Sequence, residues 1–149
     1  MKIDGFLEVP DIPGPSTRDG HEEQIEVHGV RFQMEGPYDP NSMARRGRVA
    51  MGVITFTKYY DKSSPYLKRA LFDNKVLDPV KFYARRTIEG ETSDYLEVEL
   101  TKAVVVRYEM AQSGDLPDLI EENVGFAYQK IKFVYDADHE QEMDVQVGV

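Results

Sequence analysis

Along most of this chain apolar and polar positions alternate with a period of two, the signature of β-strands. Residues 3–9 make a first short strand. Pro10, Pro13, Gly14 and Pro15 then bar regular structure until about His21. Residues 24–34 carry a second strand whose parity slips. Ile25 and Val27 face one way; after Gly29, Val30, Phe32 and Met34 take the apolar side. A slip of one residue at a glycine is what a β-bulge produces, and it turns Arg31 and Gln33 away from the core. Val49, Met51 and Val53 alternate next, and Ile54 and Phe56 continue on shifted parity among the β-branched Thr55 and Thr57.

The period changes only once. Ser63-Ser64-Pro65 announces a helix over about 64–73. Ser64 is placed to cap the free amides, and proline in the first turn loses no hydrogen bond. Leu67, Ala70 and Leu71 fall at i, i+3 and i+4 and share the docking face, with Lys68 and Arg69 off it. Asn74 suits the left-handed residue that ends a helix. So short a helix is marginal alone and must dock on a sheet.

The remainder reads as strands again. Val80, Phe82 and Ala84 alternate with Lys81, Tyr83 and Arg85, and Glu89-Gly90-Glu91 is a turn. Residues 95–110 are extended, with Leu96, Val98 and Leu100 inward, a bend near 101–103, and Val104, Val106 and Tyr108 inward afterwards. A loop follows over 111–118. Val124, Phe126 and Tyr128 then give way to Ile131, Phe133 and Tyr135 on opposite parity, so a bulge is expected near 129–130. A polar turn at 136–142 precedes a weak last strand at 143–149. The fold class is therefore mainly β: seven or eight strands, three bulges and one helix. Repeated bulges bend strands as barrel closure requires, which predicts a partly closed antiparallel barrel or tight sandwich. The 149 residues read as one domain, 1–149, without repeats or linkers.

Residues 36–48 (GPYDPNSMARRGR) exceed ordinary hairpin length, and such loops are usually functional or disordered. This extended loop holds Arg45, Arg46 and Arg48 against Asp39, the densest positive charge in a chain of net charge −9. A surface that acidic repels phosphate backbones and anionic lipid, so nucleic acid is not an expected partner. The basic loop instead suits an acidic face of a neighbouring copy. Cysteine is absent, which removes disulfides and thiolate metal sites. No apolar run approaches the roughly 20 residues of a membrane helix, so membrane insertion is not expected. The N-terminus lacks the pattern of a secretory signal, which leaves export by a dedicated machine open.

Chemistry is sparse. His21-Glu22-Glu23 reads as an exposed entry to a strand rather than as metal ligands, because no second cluster has ligand spacing. The 136–140 run resembles a calcium loop but lacks its glycine and distant bidentate glutamate. His28 reads as a surface strand residue. No histidine sits in a nucleophile context, and 27 acidic residues make coincidental carboxylate pairs certain. No enzyme, cofactor or metal is expected.

Three blocks carry a resemblance. Residues 56–71 (FTKYYDKSSPYLKRAL) resemble the tube protein of the bacterial type VI secretion system, the haemolysin-coregulated protein (Hcp) family, in the strand ending F-T-K and the following D-K-S-S-P-x-L. Gly5-Phe6-Leu7-Glu8-Val9 through Gly14, Ser16, Asp19, His21 and Ile25-Glu26-Val27 resembles the opening of that family. Glu122-Asn123-Val124 through Phe126-Ala127-Tyr128-Gln129-Lys130-Ile131 to Tyr135 resembles a third block. The resemblance implies a fold similar to phage tail tube proteins, and homohexameric rings stacked into a hollow tube that a contractile sheath drives outward. It implies a spike protein, sheath, baseplate and effector proteins as partners, with small effectors in the lumen. It implies assembly in the bacterial cytoplasm and secretion without a signal peptide. By the same resemblance Pro37, Tyr38, Asp39, Arg45, Arg46 and Arg48 fall in an inter-ring contact loop, and Arg31 and Gln33 on the channel wall. An effector adaptor or chaperone ring, or the tube protein of a phage or related contractile injection machine, remains an alternative. The chain departs from the family in having no tryptophan and a shorter C-terminus.

Overall fold

A computed structural model describes residues 2–45 and 47–145. Along the chain run β1 (Asp4–Glu8), β2 (Ile25–Val27), β3 (Gly29–Arg31), β4 (Met34–Glu35), β5 (Tyr38–Asp39), β6 (Ala44–Arg45), β7 (Ala50–Met51), β8 (Ile54–Tyr59), α1 (Ser64–Phe72), β9 (Val80–Ile88), β10 (Glu91–Thr101), β11 (Val104–Gln112), β12 (Ile120–Ala127), β13 (Lys130–Tyr135) and β14 (His139–Asp144). Two antiparallel sheets form the body, ordered β14-β13-β10-β9-β1-β2 and β11-β12-β8-β3. They close on each other as a sandwich, not as a continuous barrel. Leu7, Ile25, Phe82, Val98, Leu100 and Ile131 face Ile54, Phe56, Val124 and Phe126, all buried. The Phe56 ring meets Phe82 of the opposite sheet at 5.0 Å and Phe126 of its own at 5.8 Å.

The parity slips are where the chain changes sheets. His28 shows how: its N–H donates to Thr57 O (2.9 Å) in the four-stranded sheet, and its carbonyl accepts from Ile3 N (3.1 Å) beside the six-stranded one. The expected bulge is thus a corner between β2 and β3. The bend at 101–103 is a second corner, with Lys102 left-handed (φ 51). Gln129, whose N–H donates to Thr101 O, makes a third. Sheet-switching corners of this kind let one strand run serve both layers.

Several expected faces are corrected. Val30 and Met34 are 39% and 42% exposed, because β3 is a sheet edge from which the chain departs. Phe32 is half-buried against Phe133, 5.3 Å between rings. Between Val105 and Arg107 a bulge interrupts the β11–β12 register. Val105, not Val106, is therefore buried, and Val106 is 47% exposed. The connection after β11 is 113–119, because β11 continues to Gln112. The polar stretch at 139–144 is strand β14, paired with β13 throughout. Its charges suit a solvent-facing sheet edge, and that polarity made it read as a turn. Of the last strand expected at 143–149, residues 146–149 lie outside the described residues.

The helix docks as its pattern requires. Leu67 and Ala70 are buried and Leu71 packs half-buried on the core. Asn74 takes φ 52, and Lys75 N–H reaches back to Ala70 O at 2.9 Å, closing the helix as a left-handed cap does. The N-terminus differs from expectation. Ser63 is the N-cap and makes no side-chain cap bond. The Ser64 hydroxyl instead turns inward, donating to Glu122 Oε1 (2.7 Å) and accepting from Lys58 Nζ (3.0 Å) and Asp61 N (3.0 Å). A ready ionic partner in the core outcompetes capping.

Candidate functional site

The segment expected as an irregular loop at 36–48 is a β-ribbon arm. β4 pairs β7 through Met34↔Met51 and Glu35↔Ala50; further out β5 pairs β6 through Tyr38↔Arg45 and Asp39↔Ala44. Short paired rungs satisfy the backbone where Pro37 and Pro40 exclude longer strands. At the arm's root Gly52 N–H donates to Gln33 O (2.8 Å), and Tyr128 donates its hydroxyl to Gly52 O (2.7 Å). A Cβ on Gly52 would lie 2.4 Å from Gln33 O, so the crossing requires glycine. Tyr128 is half-buried there, and burial pushes its hydroxyl up to about 12. At the tip Tyr38 Oη reaches Met43 Sδ at 2.8 Å, and Met43 is 76% exposed. Pro37, Arg45 and Arg48 are exposed and Asp39 half-exposed. Arg46 lies outside the described residues.

The outer face of the four-stranded sheet forms the second feature. One cross-strand row reads Arg31–Thr55–Gly125–Arg107, from β3 through β8 and β12 to β11. The next reads Gly29–Thr57–Asn123–Glu109, in which Thr57 donates to Asn123 (2.8 Å) and Asn123 to Glu109 (3.3 Å). Small residues make the floor of a trough, and Arg31 and Arg107 rim it. A Cβ on Gly125 would meet Val53 Cγ1 at 2.8 Å and Arg107 Cβ at 3.2 Å. Neither arginine has an ion-pair partner among the described residues. Three strand spacings separate their backbones, about 14 Å, so both guanidiniums can reach one anionic ligand between them.

The expected wall residues separate here. Arg31 lies on the trough, whereas Gln33 is exposed but belongs to the arm's root. Arg107 was missed, because only the bulge at Val106 brings it into register with Gly125. The bulged pair Val105-Val106 is a faint sequence signal for it.

The histidines serve the scaffold. His21 is not an exposed strand entry. It is buried, stacked on Phe6 at 4.3 Å, with Nδ1 against Gln24 Oε1 (2.7 Å) and Nε2 against Asp94 (3.0 Å). The 10–24 segment thereby folds over the outer face of the six-stranded sheet. His28 is half-buried rather than surface-facing and bonds Glu121 at 3.0 Å. Asp136 and Ala137 are both left-handed (φ 50 and 59) in a three-residue hairpin connection between paired Tyr135 and His139, not a calcium loop. Among the described residues no group of three or more His, Asp or Glu is arranged to hold a metal ion.

The outer face of the six-stranded sheet is ionic. One row alternates Glu142–Lys132–Glu99–Lys81–Glu8 across five strands. Lys132 lies 3.3 Å from both Glu99 and Glu140, contacts that raise its pKa. Beside this row burial, then Glu97, Glu8, Asp94 and Glu99, push the Tyr83 hydroxyl up to about 12.

Comparison with known proteins agrees on one group. The family model described as "Type VI secretion system effector, Hcp" matches residues 1–135. The "Major exported protein" of Pseudomonas aeruginosa strain PAO1 is 29% identical over 132 residues, covering 85% of this chain and 77% of that protein. "Protein hcp1" of the same strain is 28% identical over 137 residues, covering 91% and 84%. In fold the chain is similar to a mutant Hcp1 from E. coli EAEC 042 (TM-score 0.82, 24% identity, 97% of this chain and 98% of that one). It is equally similar to Hcp1 from Salmonella typhimurium (TM-score 0.82, 23% identity, 99% and 98%).

Proposed function

The chain belongs to the Hcp family of type VI secretion proteins, and on that footing we propose that it is a non-catalytic tube subunit whose copies join into hexameric rings that stack into a hollow tube. The observation that carries the reading is the pair of unlike open edges on the four-stranded sheet. Among the described residues β11 pairs only with β12, and β3 only with β8. The strands alternate in direction across the sheet, so β3 of one copy meets β11 of the next in the antiparallel sense. Such a contact is heterologous, and repeating it yields a ring when the rotation closes. The other long edge, β14, carries Glu140, Glu142 and Asp144 and is guarded against pairing. The β11 edge carries only Arg107 and Glu109 as charges.

In such a ring the trough lies on the wall of the channel. Two unpaired arginines over a small-residue floor suit acidic side chains of a small effector carried inside, which also favours a carrier role for the ring. The arm, set beyond the sheet's end, serves contact between rings. Sheath, spike and baseplate are the further partners this role requires, with assembly in the cytoplasm and export by the contractile machine.

Light scattering and electron microscopy of the purified protein test the assembly. Rings with a central hole are expected. A strictly solitary species at high concentration overturns the reading. For cargo, Arg31→Glu with Arg107→Glu is expected to abolish effector co-purification while rings persist.

A further inference from the structure

Two buried polar atoms lie under helix α1 without a hydrogen-bond partner among the described residues: Glu122 Oε2 on β12 and Tyr108 Oη on β11. Both are sealed from solvent, so bulk water cannot serve them. A carboxylate oxygen or phenol buried in this way costs free energy until something bonds it. We infer that the two atoms form a binding site for one internal water molecule, which accepts the Tyr108 O–H and donates to Glu122 Oε2. The site lies within one copy and is independent of how copies assemble.

Register brings the two side chains together. Tyr108 pairs with Val124, and Met110 with Glu122. Val124 and Glu122 are both fully buried and two residues apart on β12. Tyr108, packed against the core, and Glu122 therefore share the inner face of the sheet as diagonal neighbours. Diagonal pairs stand about 7–8 Å apart at the backbone, within reach of an aromatic side chain.

Lys68 fixes the direction in which Tyr108 leans. Its ammonium lies 5.3 Å from the centre of the Tyr108 ring and 4.6 Å from that of Tyr60, whose hydroxyl it also bonds at 3.0 Å. Tyr60 N–H donates to Ile120 O, which places this group at the Ile120 end of β12. The Tyr108 ring thus leans towards Glu122 and away from Phe126. Ser64 stands one helical turn before Lys68 and donates its hydroxyl to Glu122 Oε1 (2.7 Å). A single turn of α1, from Ser64 to Lys68, roofs both atoms.

Chemistry selects the occupant. Glu122 Oε1 already takes Lys58 Nζ and the Ser64 hydroxyl, and Lys58 also pairs with Asp61 at 3.2 Å. A second cation would sit beside the Lys58 ammonium and an anion beside the Glu122 carboxylate, so charge of either sign is repelled where the dielectric is low. Tyr108 and Glu122 do not bond each other directly. What remains is a small neutral molecule that both donates and accepts. Water fits, and two protein partners are the fewest that hold an internal one. With it bound, β11, β12 and α1 join a continuous network running Tyr108–water–Glu122–Lys58–Asp61.

A high-resolution crystal structure of the full chain tests the site. An ordered water is expected at about 2.7–3.2 Å from both Tyr108 Oη and Glu122 Oε2. Urea denaturation supplies a second reading through a double-mutant cycle. Tyr108→Phe is expected to lower the folding equilibrium constant about fivefold in the natural sequence. In a Lys58→Met, Glu122→Leu background the same change should cost less than about twofold, because the group at the other end of the water is gone. Density showing Tyr108 bonded directly to Glu122 with no water between them overturns the inference. So does a Tyr108→Phe loss of equal size in the two backgrounds.

Discussion

Lys58 on β8 and Glu122 on β12 face each other inside the sandwich, and both side chains are fully buried. The ammonium donates to Glu122 and to Ser64 and forms an ion pair with Asp61 (3.2 Å), and Asp61 in turn accepts from the backbone and hydroxyl of Ser63. Lys58, Asp61, Ser63 and Ser64, four of the six polar residues of the F-T-K and D-K-S-S-P stretches, are thus one network. It ties the end of β8, the start of α1 and the middle of β12 together. Glu122 Oε2 has no hydrogen-bond partner among the described residues.

Breaking that pair is expected to be costly. Lys58→Met strands a carboxylate and should destabilise by about 3–5 kcal/mol, whereas Lys58→Met with Glu122→Leu should recover most of the loss, because two buried charges are replaced together. Urea denaturation of the two variants checks it; equal losses would contradict the assignment.

Ser64 and Ser63 should separate. Ser64→Ala removes a hydroxyl bonded three ways in the buried network and should cost about 1–3 kcal/mol. If Ser64 were merely a helix cap, restoring a capping residue at position 63 as Ser63→Asp would compensate. It should instead make matters worse, by placing a second carboxylate beside Asp61.

Stability should fall in alkali. Tyr83 and Tyr128 have folded pKa values raised from 10.0 to about 12. The native state therefore holds their protons more tightly than the unfolded chain. Their contribution is complete below pH 10 and is lost as pH rises through the interval up to about 12. The urea midpoint should drop across that window, and Tyr83→Phe with Tyr128→Phe should flatten the drop.

The arm's placement depends on Gly52. Gly52→Ala forces a Cβ against Gln33 O and should displace the arm while the core stays folded. Unchanged near-ultraviolet circular dichroism with loss of ring stacking is the expected pair of readings. Intact stacking would show that the arm tolerates the shift.

Charge lacing on the six-stranded face predicts salt sensitivity. Exposed pairs such as Lys132–Glu140 contribute at most about 1 kcal/mol each and are screened. Lys132→Glu places like charges opposite Glu99 and Glu142 and should lower stability by about 1 kcal/mol at low salt, with the gap narrowing as salt is raised.

Local physics made the elements legible. The 64–73 helix, its Leu67-Ala70-Leu71 face and the Asn74 terminus follow from periodicity and backbone preference, which act over a few residues. So do the Val80-Phe82-Ala84 face and the existence of a break near positions 29, 102 and 129. The basic loop was visible as composition, because no other stretch of the sequence sets three arginines within four positions. What a break means was not visible. A bulge within one sheet and a corner between two sheets shift parity alike, and only the destination of the His28 N–H and carbonyl tells them apart. The cross-strand row that joins Arg31 to Arg107 and the pairing of Lys58 with Glu122 each join residues distant in sequence. Strand register and packing decided them, because a polar residue's role depends on which groups surround it once the layers close.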